Sequence, residues 1–108
     1  MAGPSQGPLW SQDALADLAD TWTYYAQVAG RAVADSVVRE IYRTSDILAD
    51  YPLAGRARDE VRPGLRCLVR QPHIVFYRVS SGVAEIVRVL DGRRDIDEAF
   101  GESPPNAT

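Results

Sequence analysis

A chain of 108 residues can bury one core but not two of ordinary size, and a net charge of −3 excludes a protein that grips nucleic acid through its overall field. One cysteine cannot form an internal disulfide, and one cysteine with one histidine makes no convincing metal site, so neither metal nor other cofactor is expected. No apolar run reaches membrane-spanning length, and MAGPSQGP lacks the basic start and apolar stretch of a signal peptide, which predicts a cytoplasmic protein with no membrane contact.

Residues 1–8 and 101–108 are rich in Gly, Pro and Ser and carry little to bury, so both are expected to be flexible tails around a single domain over 9–100. Leu9 and Trp10 predict a short strand, ended by Ser11 as the cap of a helix whose first turn carries Asp13. Leu15, Leu18, Trp22, Tyr25 and Ala29 recur at helical spacing, and Gly30 supplies the stop. A second helix follows with Ala34, Val37, Val38, Ile41 and Leu48 on its stripe and ends near Tyr51, because Pro52 disfavours helical geometry in the residue before it. So short a connection makes the two an antiparallel hairpin. The aromatic residues Trp22, Tyr24, Tyr25 and Tyr42 read as packing within it.

After the crossing segment PLAGRARDEVRPG come three strand-like runs, 65–70, 73–80 and 83–90, separated by Gln71-Pro72 and Ser81-Gly82. Two-residue turns set Arg66 opposite Tyr77, Val69 opposite Ile74, Arg78 opposite Glu85 and Val75 opposite Arg88. Side chains alternate across a sheet, so Leu65, Cys67, Val69, Ile74, Phe76, Val87 and Val89 share one face, which the helical hairpin is expected to cover. Cys67 then reads as a small buried hydrophobe. Arg66, Leu68, Arg70, His73, Val75, Tyr77, Ile86, Arg88 and Leu90 share the other, too polar for a sealed core and therefore expected to be open. Asp95, Ile96 and Phe100 predict a last short helical turn. The fold class is α+β: an N-terminal antiparallel helical hairpin packed on one face of a small antiparallel β-sheet.

Trp10-Ser11 before the first helix, Pro52-Leu53-Ala54-Gly55-Arg56, Pro63-Gly64-Leu65-Arg66, His73 to Val79 and Val87 to Asp95, in this order and spacing, resemble the ParE/RelE superfamily of bacterial toxins. The resemblance covers nearly the whole chain between the tails, and the VLDGRRDIDEAF ending is closest to the ParE branch. It implies the toxin of a type II toxin-antitoxin module, a hetero-oligomer with a ParD-like antitoxin, and DNA gyrase as the target, inhibited by protein binding with no catalytic residue and no direct nucleic-acid binding by the chain alone. Asp91 stands where the ParE branch commonly has His, which removes a protonatable imidazole from that position.

The alternatives are a RelE-like ribosome-dependent mRNA endonuclease and an inactive homologue acting only in an autoregulatory complex. RNA cleavage by the 2′-hydroxyl needs a base, an acid and donors for the phosphorane. Arg66, Tyr77 and Arg88 would be the catalytic set, credible as phosphate donors but poor as acid and base, because a tyrosine has a reference pKa of about 10 and arginine keeps its proton. Only His73 titrates near neutrality, and its place at a turn edge suits a surface or capping role equally. For antitoxin binding the expected surface is Arg66, Leu68, Arg70, Val75, Tyr77, Ile86 and Arg88, apolar anchors among arginines that suit an acidic amphipathic segment. Arg93 and Arg94, charged and outside the core, are the expected target contacts.

Overall fold

Ser11 fixes the first junction of the fold. In the computed structural model, which describes residues 7–101, its extended backbone (φ −71°, ψ 162°) ends strand β1 (Leu9–Trp10) and opens helix α1 (Gln12–Ala29). Its Oγ accepts the Ala14 amide at 3.0 Å and donates to the Val87 carbonyl at 3.1 Å, so one hydroxyl caps the helix and ties it to the sheet. Gly30, at φ 94°, belongs to a backbone region that side chains disfavour, and there it joins α1 directly to α2 (Arg31–Asp46). A 3₁₀ turn over Ile47–Ala49 finishes the hairpin just before Pro52. Strands β2 (Arg56–Ala57), β3 (Arg66–Arg70), β4 (His73–Ser80) and β5 (Val83–Asp91) follow, then helix α3 (Ile96–Gly101).

The sheet order is β1-β5-β4-β3-β2, with β1 parallel to β5 and the other pairs antiparallel. Arg66–Tyr77, Val69–Ile74 and Arg78–Glu85 are Cα partners as the turn lengths predict. Ser81 and Gly82 both have positive φ (52° and 77°), the two-residue turn that suits strand twist. Arg78 and Glu85 make no ion pair among the described residues.

The expected pairing of Val75 with Arg88 is wrong. A bulge lets Phe76 and Tyr77 face Arg88 and Ile86, leaving Val87 unmatched and Val75 opposite Val89. One extra residue reverses the facing of everything beyond it. Val89 therefore joins Val75, Tyr77 and Ile86, and Leu90 joins Cys67 and Phe76.

The cover is reversed as well. The hairpin packs Ala14, Leu18, Ile41 and Leu48 onto the face of Val75, Tyr77, Ile86 and Val89, the face expected to be open. The opposite face, with Cys67 and Phe76, packs with Val61 of the crossing segment, with Leu65 just before β3, and with Ala99, Ile96 and Phe100 of the α3 region. On α1 the inward stripe keeps Leu18, Trp22 and Tyr25 as expected but starts from buried Ala14, whereas Leu15 and Ala29 are exposed.

Candidate functional site

Tyr77 is fully buried, and its hydroxyl accepts the Gly55 amide at 2.8 Å. Arg66, its neighbour across the strand pair, donates through Nε and an Nη to the Gly55 carbonyl (3.1 and 2.7 Å) and through that Nη to the Leu53 carbonyl (3.1 Å). Together the two side chains pin the crossing segment to the sheet. Backbone carbonyls of the segment receive Arg66, and its acidic residues Asp59 and Glu60 do not. Glu60 instead pairs with Arg58 at 2.6 Å.

Arg88 points the other way. Its Nε and an Nη bond the two Asp17 oxygens (2.8 and 3.1 Å), and the Val89 amide donates to the same carboxylate at 2.8 Å. Asp17 thus satisfies a guanidinium and an otherwise edge-exposed backbone amide of β5, which docks α1 along the sheet beyond the end of β1. Arg66, Tyr77 and Arg88 are each engaged structurally, and the structure does not assemble them into a common site.

The antitoxin surface drawn from the sequence is corrected by the same packing. Val75, Tyr77 and Ile86 are core residues under the helices, so no partner can reach them in this fold. Leu68 is half-buried against that core; Arg66 and Arg88 keep partial exposure, and Arg70 is exposed with an Nη 3.6 Å from Glu40 of α2. Trp22 bonds Asp35 at 2.8 Å and Tyr42 packs on Trp10 with centroids 4.8 Å apart, while Tyr24 faces solvent.

Arg93 and Arg94 are both exposed and line a cleft of about 480 Å³ between the second half of α1 and the end of β5. They are not equivalent. Arg93 folds back on Asp91: Nε and an Nη hold its two carboxylate oxygens, and the Arg93 amide donates to one of them at 2.9 Å. The arginine side chain, and then its amide and charge, hold the Asp91 carboxyl down at about 2. Arg94 has no side-chain partner among the described residues.

His73 closes the floor of this cleft at only 5% exposure, so the surface or capping role is corrected. Its ring lies edge-on to Tyr25 of α1 (centroids 6.0 Å apart), and it is the Cα partner of Asp91. Burial pushes the imidazole below its ordinary value, nearby Asp91 pulls it up and Arg93 down, and burial dominates.

Gly55, Asp17 and Asp91 were not recognised from the sequence as organising residues. Asp17 carried a usable signal, a carboxylate one position from the buried Leu18 on an amphipathic helix, whereas the role of Gly55 depends on a contact 22 residues away.

This architecture has known counterparts. A Mycobacterium tuberculosis protein named Toxin ParE1 is 40% identical over 90 residues, covering 82% of this chain and 92% of its own length. A Caulobacter vibrioides Toxin ParE1 is 41% identical over 80 residues, covering 74% and 82%. The solved structure described as the chromosomal ParDE TA system from P. aeruginosa superposes with a TM-score of 0.70 at 26% identity, over 81% of this chain and 96% of that one. The family described as the ParE toxin of the type II toxin-antitoxin system, parDE, matches residues 9–96, and the chain belongs to it.

Proposed function

We propose that this chain inhibits DNA gyrase by binding it, that a ParD-like antitoxin neutralises it in a hetero-oligomer, and that both act in the cytoplasm. The observation that carries the reading is the family match across 9–96. Support comes from the structural engagement of Arg66 and Tyr77 at Gly55 and of Arg88 at Asp17, which disfavours the ribonuclease alternative based on those residues. Arg93 and Arg94 remain the proposed target contacts, standing exposed on the wall of the cleft. Antitoxin contact is proposed at the perimeter of the sheet, where Arg66, Leu68 and Arg70 keep surface beside the exposed Val69, on the part of β3 that runs past the end of the two-residue edge strand β2.

The test mixes the purified chain with gyrase, supercoiled plasmid and ATP, and looks for linear DNA after denaturation and protease digestion. Linear plasmid is expected to accumulate with the wild-type chain and to fall with Arg94→Ala. Unaltered supercoiling without cleavage, at saturating toxin, would overturn the gyrase reading.

A further inference from the structure

The mixed wall of the cleft poses a specific question: what decides which arginine a partner meets. Asp91 holds Arg93 through both carboxylate oxygens, and immediately across the strand pair lies His73, buried and without a hydrogen-bond partner for either ring nitrogen among the described residues. Buried imidazoles ordinarily have such a partner. No side-chain nitrogen or oxygen in the described part of the chain is at once fully inaccessible and unsatisfied, so the small exposed part of His73 includes its ring nitrogens.

The charged and titratable groups around this ring come from four elements. Helix α1 contributes Tyr25, and Asp17 and Asp20 farther along the cleft; α2 contributes Glu40 across a second cleft that His73 also lines. Strand β3 contributes Arg70, the Cα partner of His73, which is occupied by Glu40. The end of β5 and its following loop contribute Asp91, Arg93 and Arg94. Asp17 is committed to Arg88. The carboxylate placed to respond to a charge on His73 is therefore Asp91.

We propose that Asp91 and His73 are positioning residues for the arginine pair: Asp91 keeps Arg93 folded back so that Arg94 is presented alone, and a proton on His73 competes for Asp91 and releases Arg93. The neutral ring carries one N–H and makes no hydrogen bond to the carboxylate, whose side-chain partner is Arg93. A protonated ring donates from both nitrogens and carries a positive charge beside an acceptor already shared with the guanidinium, and the two cations repel. This inference deepens the reading of Arg93 and Arg94 as target contacts, but its geometry is a property of the isolated chain.

The experiment follows the His73 ring protons and the Arg93 Nε–H signal of the isotopically labelled full chain by NMR from pH 7.5 to 5. His73 is expected to titrate below its ordinary value of 6.5. Arg93 Nε–H exchange with solvent, compared with that of Arg94 at each pH, is expected to accelerate about tenfold with the same midpoint, as loss of a hydrogen bond implies. His73→Gln should abolish the Arg93 transition. Asp91→Asn, a second variant that does not depend on replacing a buried side chain, should show the fast Arg93 exchange already at pH 7.5. An Arg93 signal that ignores the His73 titration, or Asp91→Asn with wild-type protection of Arg93, would overturn the proposal. Gyrase is absent from these measurements, so they succeed or fail separately from the target assay; Arg94→Ala with intact toxicity would count against the target reading alone.

Discussion

Gly55→Ala tests the packing logic at its tightest point. A Cβ added there would lie 2.5 Å from the Cys67 carbonyl oxygen, 2.6 Å from the Tyr77 hydroxyl and 2.7 Å from Tyr77 Cε1. None of the three can retreat easily, since one is sheet backbone and two belong to the largest fully buried side chain. Overpacking of this kind costs about 1–3 kcal/mol, and displacing the crossing segment also strains the Tyr77 hydroxyl bond to the Gly55 amide, worth about 1 kcal/mol. A total near 2–4 kcal/mol is expected from urea denaturation at unchanged m-value. Tyr77→Phe removes only the acceptor and strands a buried amide, for about 1–3 kcal/mol. Because the hydroxyl takes part in both losses, the double variant should be less destabilised than the sum by roughly 1 kcal/mol. A Gly55→Ala protein within about 0.5 kcal/mol of wild type, the ordinary range for surface substitutions, would refute the reasoning.

Asp17→Ala should cost about 2–4 kcal/mol in the same denaturation experiment, because it removes the carboxylate that pairs with partly buried Arg88 and accepts the Val89 amide, while Asp17→Asn should retain part of that stability. Ser11→Ala should cost about 1 kcal/mol through the lost cap on Ala14. Phe100→Ala removes the ring packed 5.0 Å from Phe76 and should speed modification of the buried Cys67 by a thiol reagent several-fold, with little effect on Trp fluorescence from the hairpin side. Acidification should destabilise the fold in two stages. The depressed His73 value means stability is complete above 6.5 and lost as pH falls through the lower folded value. The Asp91 contribution is complete above 3.8 and lost as pH falls through about 2. His73→Gln should erase the first stage in melting temperatures taken across pH and leave the second.

Local signals were legible where local chemistry decides the outcome. Ser11, Gly30 and Pro52 bound the helices as expected because caps, positive φ and ring geometry act within a few residues. The two-residue turn at Ser81-Gly82 likewise set the register of the first half of β5. The facing of its second half was illegible, because no residue pattern in VAEIVRVL distinguishes a regular strand from one carrying a bulge at Val87. Alternation predicted Val89 beside Val87; pairing to β4 put Val89 beside Val75 instead. That single insertion also misplaced Arg88 in the candidate site.

The reversed cover has a different cause, which concerns how arginines on a sheet face should be counted. Arg66, Arg70 and Arg88 made one face look too polar to bury, yet each lies at a border and sends its head outward, to the carbonyls of Leu53 and Gly55, to Glu40 and to Asp17. An arginine stem can cover apolar surface while its guanidinium stays at the rim, so three arginines at the perimeter are compatible with a dry centre made of Val75, Tyr77 and Ile86. The relevant quantity was the apolar content at the middle of the strands rather than the composition of the whole face. On that criterion two helices of 18 and 16 residues belong over Val75 and Tyr77, where they bury a broad stripe. The six-residue α3 with the crossing segment suffices for the smaller surface around Phe76. Charges in the middle of a covered sheet would have required partners from the helices themselves, and the hairpin supplies only two, Asp17 and Glu40, both directed to its borders.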